Sequence, residues 1–516
     1  MHDVIEGGSG GVDKPMKNRF KLFTSIFYLS ISFLLGSCGQ SGVKDKDFSG
    51  LTTPSSQEEA YEYRTFFLPA KDGPIQPYVG DTMPYYEDGI YYIYYLKDGG
   101  DSYNHSIYLA TTKDFVTYTE QDEVVLEASD GGQDGWIGTG SVVKVGGKYY
   151  FFYTGHTDSA DMEYKEKIMV AESDNLTVFH KIASWEITPP DELGQKNDFR
   201  DPQAYYDPDT DTISLTITAS KDNVARILKY TVSADLQETH YNGIIFSNIE
   251  GDFWNLECSD TFQIGEKWYL TYSAQDDTLW YASADEQFGP YSEAKRLEGK
   301  LFYAAKHVED GKNAYMVGWA RRSESPTSTR SVSAWAGNLV VQKIVQKENG
   351  ELVLAPVDKV INQFQNKCKQ MADSTQILIE ADSAYQYADV CTCYERFLLK
   401  GNFTYLGSGS FGLCFDYNGR TDKYKLISIC PDDNILQLSF NEGDTPITET
   451  EIHLESGKDY SFTYIQEGSV GVFYIDDMAA LTVRLYGVSG KPVRLFAKNN
   501  TITFSGLEQY SNSSFK

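Results

Sequence analysis

Basic residues are scarce in this chain relative to acidic ones. The 516 residues contain 45 Lys and Arg against 74 Asp and Glu, which gives a formal net charge of −29 at pH 7. An excess of negative charge this large argues against nucleic acid and against an anionic membrane surface as binding partners, because both would repel it. The composition suits a soluble protein with a neutral ligand such as a sugar.

Motifs for metal and cofactor binding are also missing. The seven His form no H-x-x-x-H pair, and Cys391 and Cys393 make C-x-C without any paired C-x-x-C. The run 407–412 matches G-x-G-x-x-G, but it lies between predicted strands with no helix after it, so it predicts a turn. No His or Asp partner is visible for a Cys or Ser nucleophile. We therefore expect neither a cofactor nor a metal ion.

Long apolar runs are absent except near the amino terminus. A basic stretch at 17–21 precedes the largely apolar segment 22–35, and the following Leu-Gly-Ser-Cys38 is similar to the bacterial lipobox, whose Cys is acylated. We expect residues 1–38 to be a tag-like extension plus a lipoprotein signal peptide, Cys38 to be lipidated, and residues 39–58 to be a flexible tether. An ordinary signal peptide with a chance Cys is the alternative.

This interpretation predicts where the protein is located. It would be exported to a bacterial cell envelope, either lipid-anchored at the outer membrane or cell surface, or periplasmic. The lipid on Cys38 would be its only attachment to a membrane, because no later apolar run is long enough to span a bilayer.

Amphipathic helical periodicity is hard to find after about residue 60, where short aromatic strands alternate with Gly and Asp turns. A unit of two strands around a turn recurs five times, at 85–120, 142–182, 204–241, 261–294 and 304–344. Strand-rich repeats of this length are typical of β-propeller blades. We therefore predict an all-β fold in which residues 60–344 form a five-bladed β-propeller, with a β-sandwich or β-helix as the alternative.

The character of the sequence changes after the repeats. Residues 345–364 are predicted to be a linker, and from about residue 365 short alternating strands and turns continue to the end of the chain. A segment of roughly 150 residues has the size of an ordinary domain. We predict that residues 365–516 form a C-terminal β-sandwich.

Carboxylates recur at one position of the repeats. Counting back eight residues from the turn of each repeat reaches, in chain order, Asp81, Thr139, Asp201, Glu257 and Tyr303. The first strand of a propeller blade faces the central channel, so these residues are expected to form one ring. Three carboxylates on one ring repel each other and shift each other's pKa values, which is costly without a function.

Such a trio suits hydrolysis of a glycosidic bond, in which one carboxylate attacks the anomeric carbon and one carboxylic acid protonates the leaving oxygen. Arg200, beside Asp201, would keep that carboxyl ionised. Calcium is the rival ligand, because three carboxylates also bind Ca²⁺. The nearby D-x-D-x-D run, 207–211, lacks the following Gly and the closing Glu of a calcium loop, and it is predicted to be a turn.

At these residues the chain resembles glycoside hydrolase family 32, the fructan and sucrose hydrolases, over roughly residues 60–510. The family's Arg-Asp-Pro motif matches Arg200-Asp201-Pro202, and its Glu-Cys motif matches Glu257-Cys258. The strand start WIGTGS (136–141) and the later pieces FYA (302–304), GW (318–319) and WAGN (335–338) are also similar to the family. The resemblance implies a catalytic five-bladed propeller followed by a β-sandwich.

The resemblance also implies roles for individual residues. Asp81 would be the nucleophile, Glu257 the general acid/base and Asp201 the transition-state stabiliser of a retaining double displacement, with the two main carboxyls about 5–5.5 Å apart. The substrate would be an oligo- or polysaccharide with β-fructofuranosidic bonds, of the levan, inulin or sucrose type. Substrate contacts are expected from six further residues, Arg200, Thr139, Ser141, Trp254, Tyr303 and Trp319.

One position departs from the family. The family's first-blade motif is Asn-Asp-Pro-Asn-Gly, whereas this chain has Gly80-Asp81-Thr82-Met83-Pro84, so the Asn that holds the terminal sugar is absent. Lys97-Asp98 and Asn104-His105 are candidates to replace it. Two alternatives to a fructan hydrolase therefore stay open: a related furanosidase acting on another sugar such as an arabinoside, and a non-catalytic glycan-binding lipoprotein.

Overall fold

The computed structural model of the protein describes residues 64–99, 105–247, 253–322, 334–368, 376–416 and 424–511. The predicted signal segment, Cys38, the tether and Asn104 lie outside these residues. The described residues are almost entirely β-structure, as predicted; their helical segments are α1 (Asp358–Ile361) and two single 3-10 turns, Asp191–Leu193 and Pro431–Asp433. No helix among them is long and apolar enough to cross a bilayer.

The first part of the described chain consists of antiparallel hairpins. Aromatic and β-branched residues favour the strands, and Gly or Asp residues occupy many of the turns between them. The strands are β1 (Tyr78–Glu87), β2 (Ile90–Asp98), β3 (Ile107–Thr112), β4 (Tyr118–Glu120), β5 (Trp136–Val145), β6 (Lys148–His156), β7 (Glu166–Ser173), β8 (His180–Ile187), β9 (Phe199–Asp207), β10 (Thr212–Lys221), β11 (Val224–Ser233), β12 (Thr239–Phe246), β13 (Leu256–Ile264), β14 (Lys267–Ala274), β15 (Leu279–Ala284), β16 (Lys295–Glu298), β17 (Phe302–Glu309), β18 (Ala314–Arg322), β19 (Ala334–Gln346) and β20 (Leu352–Ala355).

These strands form four sheets. Strands β5–β8, β9–β12 and β13–β16 each make a four-stranded sheet in chain order. Strands β1–β4 and β17–β20 share one eight-stranded sheet, joined where Val79 of β1 lies opposite Gly337 of β19. The first strands lie side by side, with β1 next to β5 and β17, β9 next to β5 and β13, and β13 next to β17. They therefore bring the predicted site residues into one neighbourhood.

The second part of the described chain consists of two further sheets. One has β21, β22, β24, β29, β30, β31 and β33, and the other has β23, β25, β26, β27, β28 and β32, with these bounds: β21 (Asn366–Lys367), β22 (Gln376–Ala381), β23 (Gln386–Thr392), β24 (Arg396–Tyr405), β25 (Phe411–Asp416), β26 (Tyr424–Cys430), β27 (Ile435–Phe440), β28 (Thr448–Glu451), β29 (Asp459–Glu467), β30 (Val470–Ile475), β31 (Ala479–Arg484), β32 (Pro492–Ala497) and β33 (Asn500–Ser511). Apolar side chains of both sheets, such as Phe397 and Leu495, share one core.

The two parts also share a hydrophobic core. Phe302 and Leu339 from the first part belong to the same buried cluster as Leu398, Ile465 and Val472 from the second. The segment predicted to be a linker contributes to this contact, because its strand β20 pairs with β19 and its α1 buries Val360. The domain boundaries drawn from the sequence stay predictions.

Candidate active site

Three carboxylates from three different sheets converge in the described structure. Asp81 lies on β1, Asp201 on β9 and Glu257 on β13. Their charges interact: Glu257 raises the pKa of Asp81, and both Glu257 and Asp81 raise the pKa of Asp201. The three carboxylates at equivalent positions of the repeats therefore lie close enough to interact in the structure.

Each of the five first strands is interrupted near these residues. Two residues drop out of the pairing with the next strand in every case: 80–81, 138–139, 201–202, 258–259 and 304–305. Asp201, Cys258 and Ala304 have positive φ angles of 58°, 53° and 49°. Bulges re-aim side chains and often occur beside active sites. Here they place Asp81, Thr139 and Asp201 in the bulge itself, and Glu257 and Tyr303 immediately before it.

Asp81 is half-buried and has two neutral hydrogen-bond donors. Thr139 Oγ1 donates to Asp81 Oδ2 at 3.0 Å, and the indole Nε1 of Trp319 donates to Oδ1 at 3.3 Å. Burial and the charge of Glu257 raise the pKa of Asp81, while these two hydrogen bonds oppose the increase. The carboxylate is oriented by groups that bring no positive charge, which leaves it suited to attack an electrophilic carbon.

Asp201 is the most buried member of the trio, with 3% of its surface exposed. Its Oδ2 accepts a hydrogen bond from the backbone N–H of Cys258 at 2.8 Å, and its own N–H donates to Thr154 Oγ1 at 2.9 Å. Burial raises the pKa of Asp201 to about 7, although the neighbouring Arg200 acts to lower it. Asp201 is thus held rigidly by the backbone and titrates near neutral pH.

Glu257 is more accessible than Asp201, with 28% of its side chain exposed. Tyr303 donates its phenolic hydrogen to Oε2 at 2.6 Å, and Arg200 Nη2 donates to Oε1 at 3.1 Å. Both oxygens are therefore oriented, while the side chain still reaches solvent. This combination suits a group that exchanges a proton with a substrate and with water.

Arg200 is held in place by a buried carboxylate that the sequence did not point to. Its Nη1 lies 3.0 Å from Glu166 Oε2, and the Glu166 side chain is only 8% exposed. Burial acts to raise the pKa of Glu166, but Arg200, His156 and the N–H of Phe199 together lower it by more. The net pKa is below its ordinary value, so the carboxylate stays ionised. Glu166 comes from β7 of the preceding sheet, and no motif links it to Arg200 in the sequence.

An aromatic side chain covers the backbone beside Asp81. A Cβ atom added to Gly80 would lie 2.3 Å from Cη2 of Trp335, which only glycine avoids. Trp335 stacks on His105 with ring centroids 4.7 Å apart and an interplanar angle of 18°, and His105 meets the exposed Trp136 edge-on. Burial lowers the pKa of His105 to about 4, so this ring is neutral at neutral pH. The Asp81 side of the site is consequently lined with aromatic rings.

Comparison with known proteins identifies the family. The family model for the N-terminal domain of glycosyl hydrolases family 32 matches residues 81–356, more than half of the chain. The chain belongs to glycosyl hydrolase family 32. The resemblance predicted from the Arg-Asp-Pro and Glu-Cys motifs is confirmed.

Curated relatives agree with this family assignment. The chain is 26% identical over 272 residues to a sucrose-6-phosphate hydrolase and 24% identical over 312 residues to a raffinose invertase, both from Escherichia coli. These matches cover 48% and 56% of this chain. The chain spans 55% and 63% of the length of these two family 32 relatives.

Solved structures of family 32 members share the fold, a β-propeller followed by a β-sandwich. The exo-inulinase from Aspergillus awamori superposes with a TM-score of 0.69 at 15% identity, covering 88% of this chain and 98% of that one. Sucrose-6-phosphate hydrolase from Lactobacillus gasseri gives a TM-score of 0.66 at 18% identity, covering 91% and 97%. The predicted fold class is therefore supported at the level of the family architecture.

Two of the substrate contacts predicted from the family 32 resemblance have other partners in the structure. Ser141 is buried, and its hydroxyl donates to Pro202 O at 3.1 Å and accepts from Ala204 N at 2.8 Å, so it joins β5 to β9. Trp319 has none of its surface exposed. It supplies an N–H to Asp81 instead of a ring face for a sugar. The remaining four, Arg200, Thr139, Trp254 and Tyr303, lie at or near the carboxylates.

Trp254 is an exposed aromatic residue beside Arg200 in this family 32 site. It is 38% exposed, and the guanidinium carbon of Arg200 lies 5.8 Å from its ring centroid. Of the residues proposed to replace the missing Asn, Lys97 pairs with Glu120 at 2.7 Å and His105 stacks on Trp335. The structure therefore gives Lys97 a different partner.

Two other chemistries lack support in the described residues. No three His, Cys, Asp or Glu side chains in these residues converge as ligands for a metal ion. Cys258 is buried, and burial together with the charges of Asp201 and Asp81 raises the pKa of its thiol, so the reactive thiolate is disfavoured. The run 207–211 forms the turn between β9 and β10, where Asp207 accepts from the N–H of Asp209 and the hydroxyl of Thr210.

Proposed function

We propose that this protein is a retaining glycoside hydrolase that cleaves β-fructofuranosidic bonds in sucrose or fructans. The observation that carries the proposal is the convergence of Asp81, Asp201 and Glu257 from three separate sheets in a chain of family 32, with each carboxyl group oriented by a hydrogen bond from a neighbouring residue. We further propose that the five first strands close a five-bladed propeller, which the cyclic order of contacts among β1, β5, β9, β13 and β17 supports.

Asp81 is proposed as the nucleophile. Asp81 is half-buried, and its side-chain hydrogen-bond donors within the described residues, Thr139 and Trp319, are neutral. Attack on the anomeric carbon would form a covalent glycosyl-enzyme and release the leaving group, as in other retaining enzymes. No cation among its hydrogen-bond partners competes for the electron pair.

Glu257 is proposed as the general acid/base. It would protonate the departing oxygen in the first step and take a proton from water in the second. Its exposed fraction gives water access to it, and the bonds from Tyr303 and Arg200 orient both of its oxygens. Arg200 also faces Asp201, and its charge opposes the rise in the pKa of that carboxyl.

Asp201 is proposed to stabilise the positive charge that develops on the sugar ring at the transition state. Because it is buried and fixed by the N–H of Cys258, it needs little reorganisation during the reaction. It would act in its ionised form, and the pKa of about 7 implies that this form grows with pH through the neutral range.

The nature of the terminal sugar is the part of the proposal that Gly80 affects most. The Asn expected from family 32 is missing, and Trp335 occupies the space over Gly80. An aromatic ring binds a sugar through its C–H face, whereas an amide binds hydroxyls. This observation favours a second candidate, a furanosidase acting on a sugar such as an arabinoside. The intact trio argues against the third, a non-catalytic glycan-binding lipoprotein.

Product analysis on levan, inulin, sucrose and arabinan tests these proposals. Release of fructose or fructo-oligosaccharides is expected. Activity on arabinan alone would replace the fructan assignment by the arabinoside one, and binding of a glycan without hydrolysis would support the non-catalytic alternative.

Substitution of the reacting groups tests the mechanism. Asp81→Asn and Glu257→Gln are each expected to reduce kcat on the order of 10³-fold or more with little change in Tm. Glu257→Gln should lose least on substrates with a good leaving group, because these need less protonation. Asp209→Asn, at an exposed turn carboxylate, is the matched control and should keep normal turnover. Near-normal turnover in both site variants would refute the assignment.

Lipid attachment at Cys38 and a location in the cell envelope are further proposals, supported by the lipobox-like sequence alone. Expression in bacteria with radiolabelled palmitate should label the protein, and Cys38→Ala should abolish the label. Equal labelling of both forms would contradict acylation at this residue.

A further inference from the structure

One arginine of the C-terminal sandwich reaches the strand beside the carboxylates. Arg484 on β31 has none of its surface exposed. Its Nε donates to the carbonyl of Arg321 at 2.9 Å, and its Nη2 donates to the carbonyl of Ala320 at 2.8 Å. Both carbonyls belong to β18. Because the guanidinium group is planar and rigid, two such bonds fix the strand in position and orientation.

The other side of the Arg484 guanidinium is anchored as well. Its Nη1 donates to Asn338 Oδ1 at 2.8 Å and to Ser469 Oγ at 3.0 Å. The approach is tight, since a Cβ atom added to Gly337 would lie 1.7 Å from the carbonyl oxygen of Ala320 and 3.3 Å from Nη2 of Arg484. The contact therefore leaves β18 little freedom to move relative to β19 and β31.

The residues that flank Ala320 on β18 serve both sides of the site. Trp319 donates its indole N–H to Asp81. The guanidinium carbon of Arg321 lies 4.4 Å from the ring centroid of Tyr303, which donates to Glu257, and Arg321 also bonds to Asp277 at 2.7 Å. The segment that Arg484 binds thus supports one hydrogen bond to each of the two carboxylates proposed to react.

We propose that Arg484 is a positioning residue, through which the C-terminal sandwich holds Trp319 against Asp81 and Arg321 against Tyr303. The inference rests on the proposed function, because it assigns significance to the hydrogen bonds of Asp81 and Glu257. It gives the sandwich a part in the chemistry that does not require the sandwich to touch the substrate.

The test relies on the charge state of Asp81. The ionisable groups of the described residues that interact with Asp81 are Glu257 and Cys258 on β13 and Asp201 on β9, and the neutral donors are Thr139 on β5 and Trp319 on β18. A hydrogen bond to a carboxylate lowers its pKa, so loss of the Trp319 bond raises the pKa of Asp81. The acidic limb of the kcat/KM profile reports the coupled ionisation of the trio, and it should then move to higher pH, because Asp81 as well as Asp201 must be ionised for the reaction.

Arg484→Met is expected to move this acidic limb upward by about one pH unit, the scale of one hydrogen bond to a charged group. Arg484→Lys, which keeps a donor and a charge, should recover part of the shift. The matched control is Arg396→Met, since Arg396 is an equally buried sandwich arginine that pairs with Glu467 and donates to Thr65. It should lower Tm comparably and leave the acidic limb unchanged.

An effect of Arg484→Met on Tm alone, with the acidic limb in place, would overturn the proposal. If neither Arg484 variant folds, Ser469→Ala decides, because it removes only one of the groups that hold Nη1. A shift in the same direction supports positioning, and an unchanged limb overturns it.

A substrate-free measurement separates this proposal from the proposed function. The indole N–H proton of Trp319, assigned in the NMR spectrum by its absence in Trp319→Phe, should titrate with Asp81 in the wild-type protein. In Arg484→Met this titration should weaken or disappear. An unchanged titration would reject the positioning role. A protein that hydrolyses none of the tested sugars but shows the expected NMR change would reject only the proposed function.

Discussion

Burial and the positive charge of Arg200 act on the pKa of Asp201 in opposite directions. It is nearly inaccessible to water, lies close to two other carboxylates, and has a pKa of about 7 despite the neighbouring Arg200. The three groups share charge interactions, so their protons are lost from the trio as a set. Holding these groups together lowers the stability of the folded protein, and this effect can be measured as a dependence of Tm on pH.

Stability should depend on pH through Asp201. Its pKa is about 4 in the unfolded chain and about 7 when folded. The folded state therefore holds the proton more tightly, and the stabilisation present below pH 4 is lost as pH rises through about 7. Asp201→Asn removes this loss, and its Tm should exceed that of the wild type by a few degrees at pH 8 but not at pH 4.

The same variant should lose kcat on the order of 10²-fold or more, because it lacks the charge that stabilises the transition state. Asp207→Asn is the control, since hydrogen bonds from Thr210 and Asp209 lower the pKa of that exposed carboxylate and reverse the sign of its effect. Equal Tm changes for wild type and Asp201→Asn between pH 4 and pH 8 would show that this carboxyl does not titrate as stated.

Substitutions at Gly80 and Trp335 should have coupled effects on KM. Gly80→Ala places a Cβ atom 2.3 Å from the indole, so Trp335 must leave its stack with His105. We expect KM to rise about tenfold or more with a smaller change in kcat. Trp335→Ala should restore space for the methyl group, so the double variant should be no worse than Trp335→Ala alone. A double-mutant cycle in KM checks this, and simple additivity would contradict it.

At the level of strands, the bulges determine where the site residues point. The bulge of β5 requires Gly140, because a Cβ atom there would lie 2.2 Å from the carbonyl oxygen of Phe152. The Gly140 carbonyl also accepts a hydrogen bond at 2.9 Å from Lys306 Nζ, from a buried lysine of β17. A first strand is thus held by another first strand as well as by its own sheet.

Gly140→Ala should therefore destabilise the protein by about 1–3 kcal/mol through overpacking. It should also lower kcat, because Thr139 is the preceding residue and donates to Asp81. Gly135→Ala is the control, since its Cβ would meet atoms only at ordinary contact distances of 3.4 Å or more. Chemical denaturation and turnover measurements report both effects. Equal stability of the two variants would show that the bulge tolerates a side chain.

The sequence predicted the members of the carboxylate trio but not their local geometry. Counting from the turns works because all five first strands end in a turn, and the count needs only strand periodicity. It treats Asp81 and Glu257 as equivalent, whereas Asp81 lies within a bulge and Glu257 precedes one. A bulge depends on contacts with the neighbouring strand, so a linear count does not reveal it.

Residues that act across sheets were harder to predict. Glu166 supports Arg200 from another sheet, and Trp335 covers Gly80 from a strand some 250 positions away. Ser141 and Trp319 lie in family motifs, and only packing shows that their polar groups already have protein partners. The segment WAGN at 335–338 is similar to a family motif, but the contact of Trp335 with Gly80 is visible only in the fold.

For the molecule as a whole, the two parts should unfold together. Residues of both parts share one buried cluster, and Glu467 of the second part accepts hydrogen bonds from the backbone of Arg64 and Thr65 near the start of the described chain. Calorimetry should show one transition for residues 51–516, with equal calorimetric and van't Hoff enthalpies.

Removal of residues 365–516 should leave the remaining protein insoluble, because Phe302 and Leu339 would lose their apolar partners. A truncated protein that stays monomeric and active would contradict this prediction, and so would two separated calorimetric transitions in the full chain. The expected dependence of the first part on the sandwich follows from their shared core and requires no assumption about the substrate.

The recurrence of the bulges means that the backbone shape of the site and its chemistry depend on different residues. A two-residue bulge interrupts all five first strands, either at the equivalent position or immediately after it, although only three of the five carry a carboxylate at that position. Every first strand therefore has a backbone irregularity that can re-aim a side chain, whichever residue it carries. The residue type at the equivalent position then decides which strands supply a carboxylate and which supply a neutral group such as Thr139 or Tyr303.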